Sequence, residues 1–155
     1  MDKVKSCLVE GADCNMVVTG NPGTGLSRFY LYCTFHLTLR TKLEVKELSS
    51  FKLVVNYNKQ FHKFDAEIQG VIELSEADVS SLQEESRVTR LIDGRSSELA
   101  GWQGVSILFA SPGAEAMRKF SKVDTFRYIM PVWTVEELRD YSSLLQDELK
   151  LSDDV

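Results

Sequence analysis

The 155-residue chain has little of what defines several protein classes, with three cysteines, three prolines and two histidines. Cys7, Cys14 and Cys33 are odd in number and lack zinc-binding spacing, so we expect free or buried thiols rather than a disulfide framework. No apolar run approaches the length of a membrane span, so the sequence predicts no membrane-spanning helix. Residues 1–13 lack the apolar centre of a signal peptide, so the sequence predicts no such peptide.

Positive charge is also scarce. Lysine and arginine total 18 against 23 aspartates and glutamates, which gives a net charge of −5. Proteins that bind nucleic acid usually carry a basic face, so the composition gives no evidence for nucleic-acid binding within this chain, although a local basic patch is compatible with the net charge. The apolar share of 43% and the charged share of 26% are typical of a globular protein. We expect a single domain over residues 1–155, with its core at about 15–145.

Short apolar runs alternate with helical patterns along the chain, which predicts an α/β fold. We expect three layers, with a mainly parallel sheet between helices. The helix that begins at Leu26 is so rich in apolar residues that we expect it to be buried on most sides. Strands are predicted at Met16–Val18, Phe51–Tyr57, Val88–Ile92, Val105–Ala110 and Phe126–Met130, with Phe61–Ala66 as a candidate second arm of a hairpin after Phe51–Tyr57. Further helices are predicted after Ser75, over Ala114–Ser121 and after Thr134.

A glycine-rich segment joins the first strand to the first helix, and this arrangement is typical of a phosphate-binding loop. Glycines let the backbone turn with positive φ and bring its N–H groups close to phosphate oxygens. A serine at the start of the helix is suited to bind magnesium through its hydroxyl, whereas the expected lysine is replaced by leucine. The predicted nucleotide-binding residues are Gly20, Asn21, Pro22, Gly23, Thr24, Gly25, Leu26 and Ser27.

Two readings of this segment remain open at the level of sequence. Gly20, Gly25 and Ser27 match the fixed positions of the phosphate-loop motif, but a glycine-rich turn without a ligand produces the same pattern. Arg28 is a candidate to replace the positive charge of the missing lysine, provided that the helix directs its side chain towards the loop.

Two further residues lie where strands are predicted to end. Asp93 follows an apolar strand, as does the aspartate that reaches magnesium in P-loop nucleotide hydrolases, although an aspartate in a turn before Gly94 explains it equally simply. Ser111 follows the strand Val105–Ala110 and is the candidate catalytic residue near the γ-phosphate, with an ordinary loop serine as the alternative. Because Gly94 follows Asp93, no carboxylate that activates water stands at that position.

Taken in order, these segments resemble the P-loop NTPase domain of Crinkler-type effectors and the related retrotransposon hot spot proteins. The resemblance covers about residues 15–145 and implies a STAND/AAA-like ATPase that binds ATP with Mg²⁺. It places phosphate-binding residues on Gly20–Gly25 and Ser27, the magnesium-binding aspartate on Asp93 and a sensor-like residue on Ser111. The matching segments are Thr19–Gly25, Leu91–Arg95, Ile107–Pro112 and, as the most specific, Arg127–Leu138.

The chain departs from that family in ways that bear on its function. Leu26 replaces the lysine, and the N-terminal translocation segment and the nuclease-like domain are missing, so we expect a core truncated at its C-terminus. The resemblance implies weak or absent ATP hydrolysis and leaves enzymatic activity open. It also implies a secreted effector acting in a host cell or its nucleus, with the cytoplasm as the other location. The alternative function is a pseudo-NTPase that binds protein partners.

Overall fold

The computed structural model describes residues 6, 12–42, 52–57, 60–65, 70–85, 87–94, 102–120 and 125–144. Seven strands and four helices are found within these ranges. The strands are β1 (Cys14–Thr19), β2 (Lys52–Tyr57), β3 (Gln60–Asp65), β4 (Gly70–Glu73), β5 (Val88–Asp93), β6 (Val105–Phe109) and β7 (Thr125–Ile129). The helices are α1 (Leu26–Lys42), α2 (Glu76–Gln83), α3 (Glu115–Phe120) and α4 (Val135–Ser143).

The described strands form one sheet in the order β4-β3-β2-β5-β6-β1-β7. The five strands from β2 to β7 in this order run parallel, while β3 and β4 extend the β2 edge as antiparallel strands. The predicted α/β class with a mainly parallel sheet is therefore confirmed. After β1 the chain moves past β6 and β5 to form β2, and it later moves in the opposite direction, from β6 past β1, to form β7 at the edge of the sheet. The carboxyl end of β1 is thus a switch point, where open α/β sheets usually bind ligands.

Helices cover both faces of the sheet. Successive residues of a strand point to opposite faces, and Val18, Leu91 and Phe109 point to the face on which Tyr30 of α1 packs. The opposite face packs against α3 and α2, so the layers are helix, sheet and helix. Val17, Ile92 and Leu108 of the sheet are buried against Ala116 and Phe120 of α3. Val54 and Val88 of the sheet are buried against Val79 and Leu82 of α2.

The expectation that α1 is buried on most sides is wrong. Phe29, Tyr30 and Cys33 face the sheet, whereas Leu31 and Phe35 are exposed. The reason is the helical repeat, which brings residues three and four apart to one face and turns the residues between them outward. Because the sheet lies along only one face of α1, the apolar composition of the outer face is not explained by packing within the described residues.

A fully buried arginine lies in the middle of β5, where the sequence suggested a plain apolar strand. The Arg90 side chain is 1% exposed, and its guanidinium carbon lies 4.6 Å from the centre of the Trp102 ring. The Trp102 ring in turn stacks on Phe61 of β3 at 5.8 Å between centroids. A cation over a desolvated indole face is attractive, so this stack stabilises the α2 side of the sheet.

Both cysteines within the described ranges are free thiols, as expected for Cys14 and Cys33, while Cys7 lies outside those ranges. Burial raises the pKa of the Cys33 thiol to about 11, so this group stays protonated at neutral pH. Of the helices in the described part of the chain, none has both the length and the apolar composition needed to cross a bilayer.

The start of α2 is held by a reciprocal pair of hydrogen bonds between Ser75 and Asp78. The Asp78 N–H donates to the Ser75 hydroxyl oxygen at 3.3 Å, and the Ser75 N–H donates to the Asp78 carboxylate at 3.1 Å. The hydrogen bonds from the Ser75 side chain and backbone lower the pKa of Asp78. The helix start predicted from the sequence is confirmed, and the lowered pKa shows that these hydrogen bonds favour the charged form of the Asp78 carboxylate.

The Asp78→Asn variant is expected to be less stable than the wild type at neutral pH, and the difference is expected to vanish in acid. A lowered pKa means that the charged form contributes stability above the ordinary aspartate pKa of about 3.9 and loses it as the pH falls through the folded-state value. The midpoints of urea unfolding of the wild type and Asp78→Asn, measured at neutral pH and at a pH below the folded-state pKa of Asp78, test this expectation. Glu76→Gln, which removes a charge from the same turn but leaves the capping bonds, is the control. Equal midpoint differences at both pH values would contradict the charged capping box.

Candidate functional site

Residues 20–25, which we call the glycine loop, connect the end of β1 to the start of α1. The loop folds on itself, because the N–H and hydroxyl of Thr24 both donate to the Asn21 carbonyl oxygen, at 3.2 and 2.9 Å. Asn21, Pro22 and Gly23 are exposed at its tip. The N–H of Phe29 donates to the Gly25 carbonyl oxygen at 2.9 Å, which is the first helical bond of α1. The N–H groups of the first helical turn are therefore left for other acceptors.

The loop glycines meet two different requirements. Gly23 and Gly25 have φ values of 88° and 84°, in the left-handed region that favours glycine. Gly20 is not among the positive-φ glycines, and its constraint is space: a Cβ there would lie 2.6 Å from Thr24 Oγ1 and 3.0 Å from Met130 Cβ. The prediction of positive φ is therefore right for two glycines, while the third is needed for close packing beneath the loop.

Replacing Gly25 by alanine is expected to lower the free energy of unfolding by about 1–2 kcal/mol, the usual cost of a left-handed conformation for an L-residue. Gly113→Ala is the matched control, because Gly113 has a φ of 79° and open space around its Cβ position. Both variants are expected to lose a similar free energy of unfolding in urea, because both residues have a left-handed backbone. The two variants differ in position, since Gly25 directly precedes α1 and Gly113 does not. A Gly25→Ala variant as stable as the wild type would show that the loop conformation differs from the one described.

A cavity of about 480 Å³ opens beside the first turn of α1 and the carboxyl ends of β5 and β6. Ser27, Asp93 and Ser111, which the sequence places in three separate segments, all line this cavity. Its size is in the range of small-molecule sites. The remaining lining residues are Leu26, Tyr30, Leu31, Tyr57, Gly94, Phe109, Ala110 and Ala114.

The charge of the cavity is unusual for a phosphate site. Among the described residues that line it, Asp93 carries the formal charge, and no lysine or arginine is present. Leu26, at the position expected for lysine, is half-buried and packs against the core cluster under α1. Arg28 is exposed and turns away from the cavity, with its guanidinium carbon 5.9 Å from the centre of the Tyr141 ring. Arg28 therefore does not take the place of the missing lysine in this conformation.

The sequence did not identify Tyr30 as a cavity residue. Its hydroxyl donates to the Asn56 carbonyl oxygen at 3.5 Å. Burial raises the pKa of Tyr30, and the nearby Asp93 carboxylate raises it further. The phenol is therefore a neutral donor beside the Asp93 carboxylate. Helical spacing could have found it, because Tyr30 lies three residues after Ser27 and so shares its face of α1.

Asp93 and Ser111 are positioned by the ends of neighbouring parallel strands. Asp93 pairs in register with Phe109 of β6, and the Ala110 N–H donates to the Val18 carbonyl oxygen at 3.1 Å, which ties the end of β6 to β1. Ser111 then begins a turn in which its carbonyl oxygen accepts the Ala114 N–H at 3.2 Å. Ser111 is thus both a turn residue and a cavity residue, so its two sequence interpretations are compatible.

Gly94 lets the ends of β5 and β6 approach closely. A Cβ at this position would lie 2.8 Å from the Phe109 carbonyl oxygen and 3.0 Å from Ala110 Cβ. The alternative explanation of Asp93, an aspartate in a turn before glycine, is therefore supported, because the space at residue 94 is too small for a side chain. It coexists with the position of Asp93 in the cavity wall.

The donors fit magnesium only if a ligand completes the coordination. Within the part of the chain that the structure describes, no three histidine, cysteine, aspartate or glutamate side chains gather into a metal site. Ser27 and Asp93 supply oxygen donors in one cavity, and magnesium in nucleotide sites typically takes one or two protein ligands together with phosphates and waters. These two residues are therefore suited to a metal that arrives with a nucleotide.

The other side of the glycine loop is formed by the segment that follows β7. The Met130 N–H donates to the Thr19 carbonyl oxygen at 2.7 Å, and Trp133 Cζ2 lies 3.6 Å from the Cβ position of Gly25. Thr134 then caps α4 as predicted, because its N–H donates to the Glu137 carboxylate at 2.8 Å and its hydroxyl accepts the Glu137 N–H at 3.2 Å. This segment therefore lies against the loop although it is distant in sequence.

Comparison with models of known protein families, with curated proteins and with solved structures finds no match to this chain. Function is therefore inferred from the site and from the sequence motifs.

Proposed function

We propose that the chain is a diverged P-loop nucleotide-binding domain that binds ATP with Mg²⁺ and hydrolyses it weakly or not at all. The observation that carries this proposal is that Ser27, Asp93 and Ser111 line one and the same cavity at the start of α1. The glycine loop would surround the phosphates with backbone N–H groups, and the helix N-terminus favours their negative charge. The resemblance to Crinkler-type NTPase domains points to the same ligand.

The proposed residue roles follow from the positions in the cavity. The Ser27 hydroxyl and the Asp93 carboxylate would hold Mg²⁺, which supplies the positive charge that Leu26 does not. Ser111 would lie near the γ-phosphate, where its hydroxyl donates a hydrogen bond to phosphate or to the attacking water. Weak hydrolysis is expected because phosphoryl transfer depends on charge placed against the developing negative charge, and the loss of one such group costs about 3–4 kcal/mol of barrier lowering.

Calorimetric titration of the protein with Mg–ATP tests this proposal directly. We expect saturable binding, weakened relative to lysine-containing domains, together with phosphate release close to the uncatalysed rate. A protein that is folded by circular dichroism and shows no heat of binding at millimolar Mg–ATP would overturn the proposal.

A pseudo-NTPase that binds protein partners is the second candidate function. It is favoured by large apolar side chains that are exposed on α1, on β7 and around α4, since contiguous apolar surface often marks an interaction site. Within the wider resemblance, such a domain would act in a secreted effector inside a host cell. Absence of nucleotide binding would favour this function over the first. The exposed residues include Leu31, Phe35, Tyr128, Ile129, Val132 and Leu144.

A further inference from the structure

The glycine loop has two unlike flanks because β1 lies between β6 and β7. On the β6 side the cavity contains Asp93 and Ser111. On the β7 side Trp133 lies next to the loop, with its Cζ2 atom 3.6 Å from where a Cβ added at Gly25 would be. If the proposed function is correct, the magnesium and γ-phosphate end of a nucleotide lies towards Asp93. The ribose and base then extend towards the opposite flank.

Trp133, Tyr141 and Arg28 lie on that opposite flank. The Trp133 side chain is 44% exposed, whereas Trp102, the other tryptophan, is 8% exposed in the core. The rings of Trp133 and Tyr141 lie 6.1 Å apart at an angle of 43°. Arg28, on the first turn of α1, approaches the Tyr141 ring at 5.9 Å. We call Trp133, Tyr141 and Arg28 the aromatic flank.

An exposed indole beside a phosphate-binding loop is suited to one kind of ligand group. Nucleobases stack on aromatic side chains through their π-faces, and tryptophan offers a large face that loses little conformational entropy. A guanidinium nearby adds positive charge, which the cavity on the other flank lacks.

We propose that the aromatic flank is the base-binding site, in which the base of the bound nucleotide stacks on Trp133. Arg28 supplies positive charge beside the ribose and the α-phosphate. This inference rests on the proposed function, because the phosphates must occupy the glycine loop. Stacking alone reads no donor or acceptor pattern, so purine nucleotides are expected to bind with similar affinity.

The experiment compares Mg–ATP with magnesium tripolyphosphate, which has the phosphates but no base. Trp133→Ala is expected to weaken ATP binding by about 5- to 150-fold, the range for loss of one base–aromatic stack. The same variant is expected to leave tripolyphosphate binding unchanged. Trp133→Phe is expected to retain most of the ATP affinity. Phe126→Ala removes another aromatic residue, 43% exposed on β7, and is expected to change neither affinity.

A second measurement uses the wild-type protein and does not depend on the folding of any variant. ATP is expected to quench the emission of Trp133, excited at a wavelength that adenine does not absorb, and tripolyphosphate is expected not to. Equal weakening of both ligands by Trp133→Ala, or equal quenching by both, would overturn the base site while leaving the nucleotide-binding proposal intact. Failure of the wild type to bind either ligand would overturn both.

Discussion

Replacing Leu26 by lysine is expected to tighten Mg–ATP binding by about 10- to 150-fold, the value of one hydrogen bond to a charged partner. Leu26 lines the cavity together with Ser27 and Asp93, so under the proposed function an ammonium group that extends from this position into the cavity would meet the phosphates. The lysine stem can follow the apolar path of the leucine side chain, which limits the loss of packing. Calorimetric titration of the wild type and the variant measures the effect.

The control for this experiment is Leu26→Met, which keeps an apolar side chain of similar volume and adds no charge. It is expected to leave the affinity unchanged and to alter stability by less than about 1.5 kcal/mol. A folded Leu26→Lys variant with the affinity of the wild type would show that residue 26 does not face the phosphates. Turnover is expected to stay low in Leu26→Lys, because Gly94 stands where a water-activating carboxylate would be needed.

Replacing Asp93 by asparagine is expected to change the binding of ATP in opposite directions with and without magnesium. With Mg²⁺ present, loss of a carboxylate ligand is expected to weaken binding by about tenfold or more. Without Mg²⁺, removal of a negative charge from a cavity whose described walls carry no positive charge is expected to tighten binding. Titrations in excess magnesium and in a chelator measure both changes.

Two companion variants make this result specific. Ser27→Ala removes the proposed neutral magnesium ligand, so it is expected to weaken Mg–ATP binding and to leave magnesium-free ATP unaffected. Asp140→Asn removes the same charge from exposed α4, outside the cavity, and is expected to change neither. If Asp93→Asn weakens both forms of ATP equally, Asp93 supports the strand ends rather than a metal.

The sequence predicted the features that depend on short-range pattern. The apolar run of β1, the turn glycines and the start of α1 are adjacent in sequence, and turn chemistry is local. Asp93 and Ser111 were identified because the carboxyl ends of parallel strands meet at one edge, so a residue just after each strand is brought to the same place.

Other features depend on contacts that no local pattern contains. β4 was missed because its residues Val71, Ile72 and Glu73 are exposed on an added edge strand and show no burial pattern. The position of Trp133 next to the glycine loop depends on β7 pairing with β1. The burial of Arg90 depends on Trp102, which arrives from a different part of the chain. Pairing and burial of this kind are decided by tertiary structure.

The close approach at Gly94 separates two routes by which activity could be regained. A positive charge in the cavity needs only the substitution Leu26→Lys, since residue 26 already lines the cavity. A carboxylate after Asp93 is not, because any side chain at residue 94 meets the Phe109 carbonyl oxygen at 2.8 Å and forces two paired strands apart. If the proposed function is correct, an engineered form of this chain is therefore expected to gain tighter nucleotide binding with one substitution, whereas turnover would also require the strand ends at Gly94 to move apart.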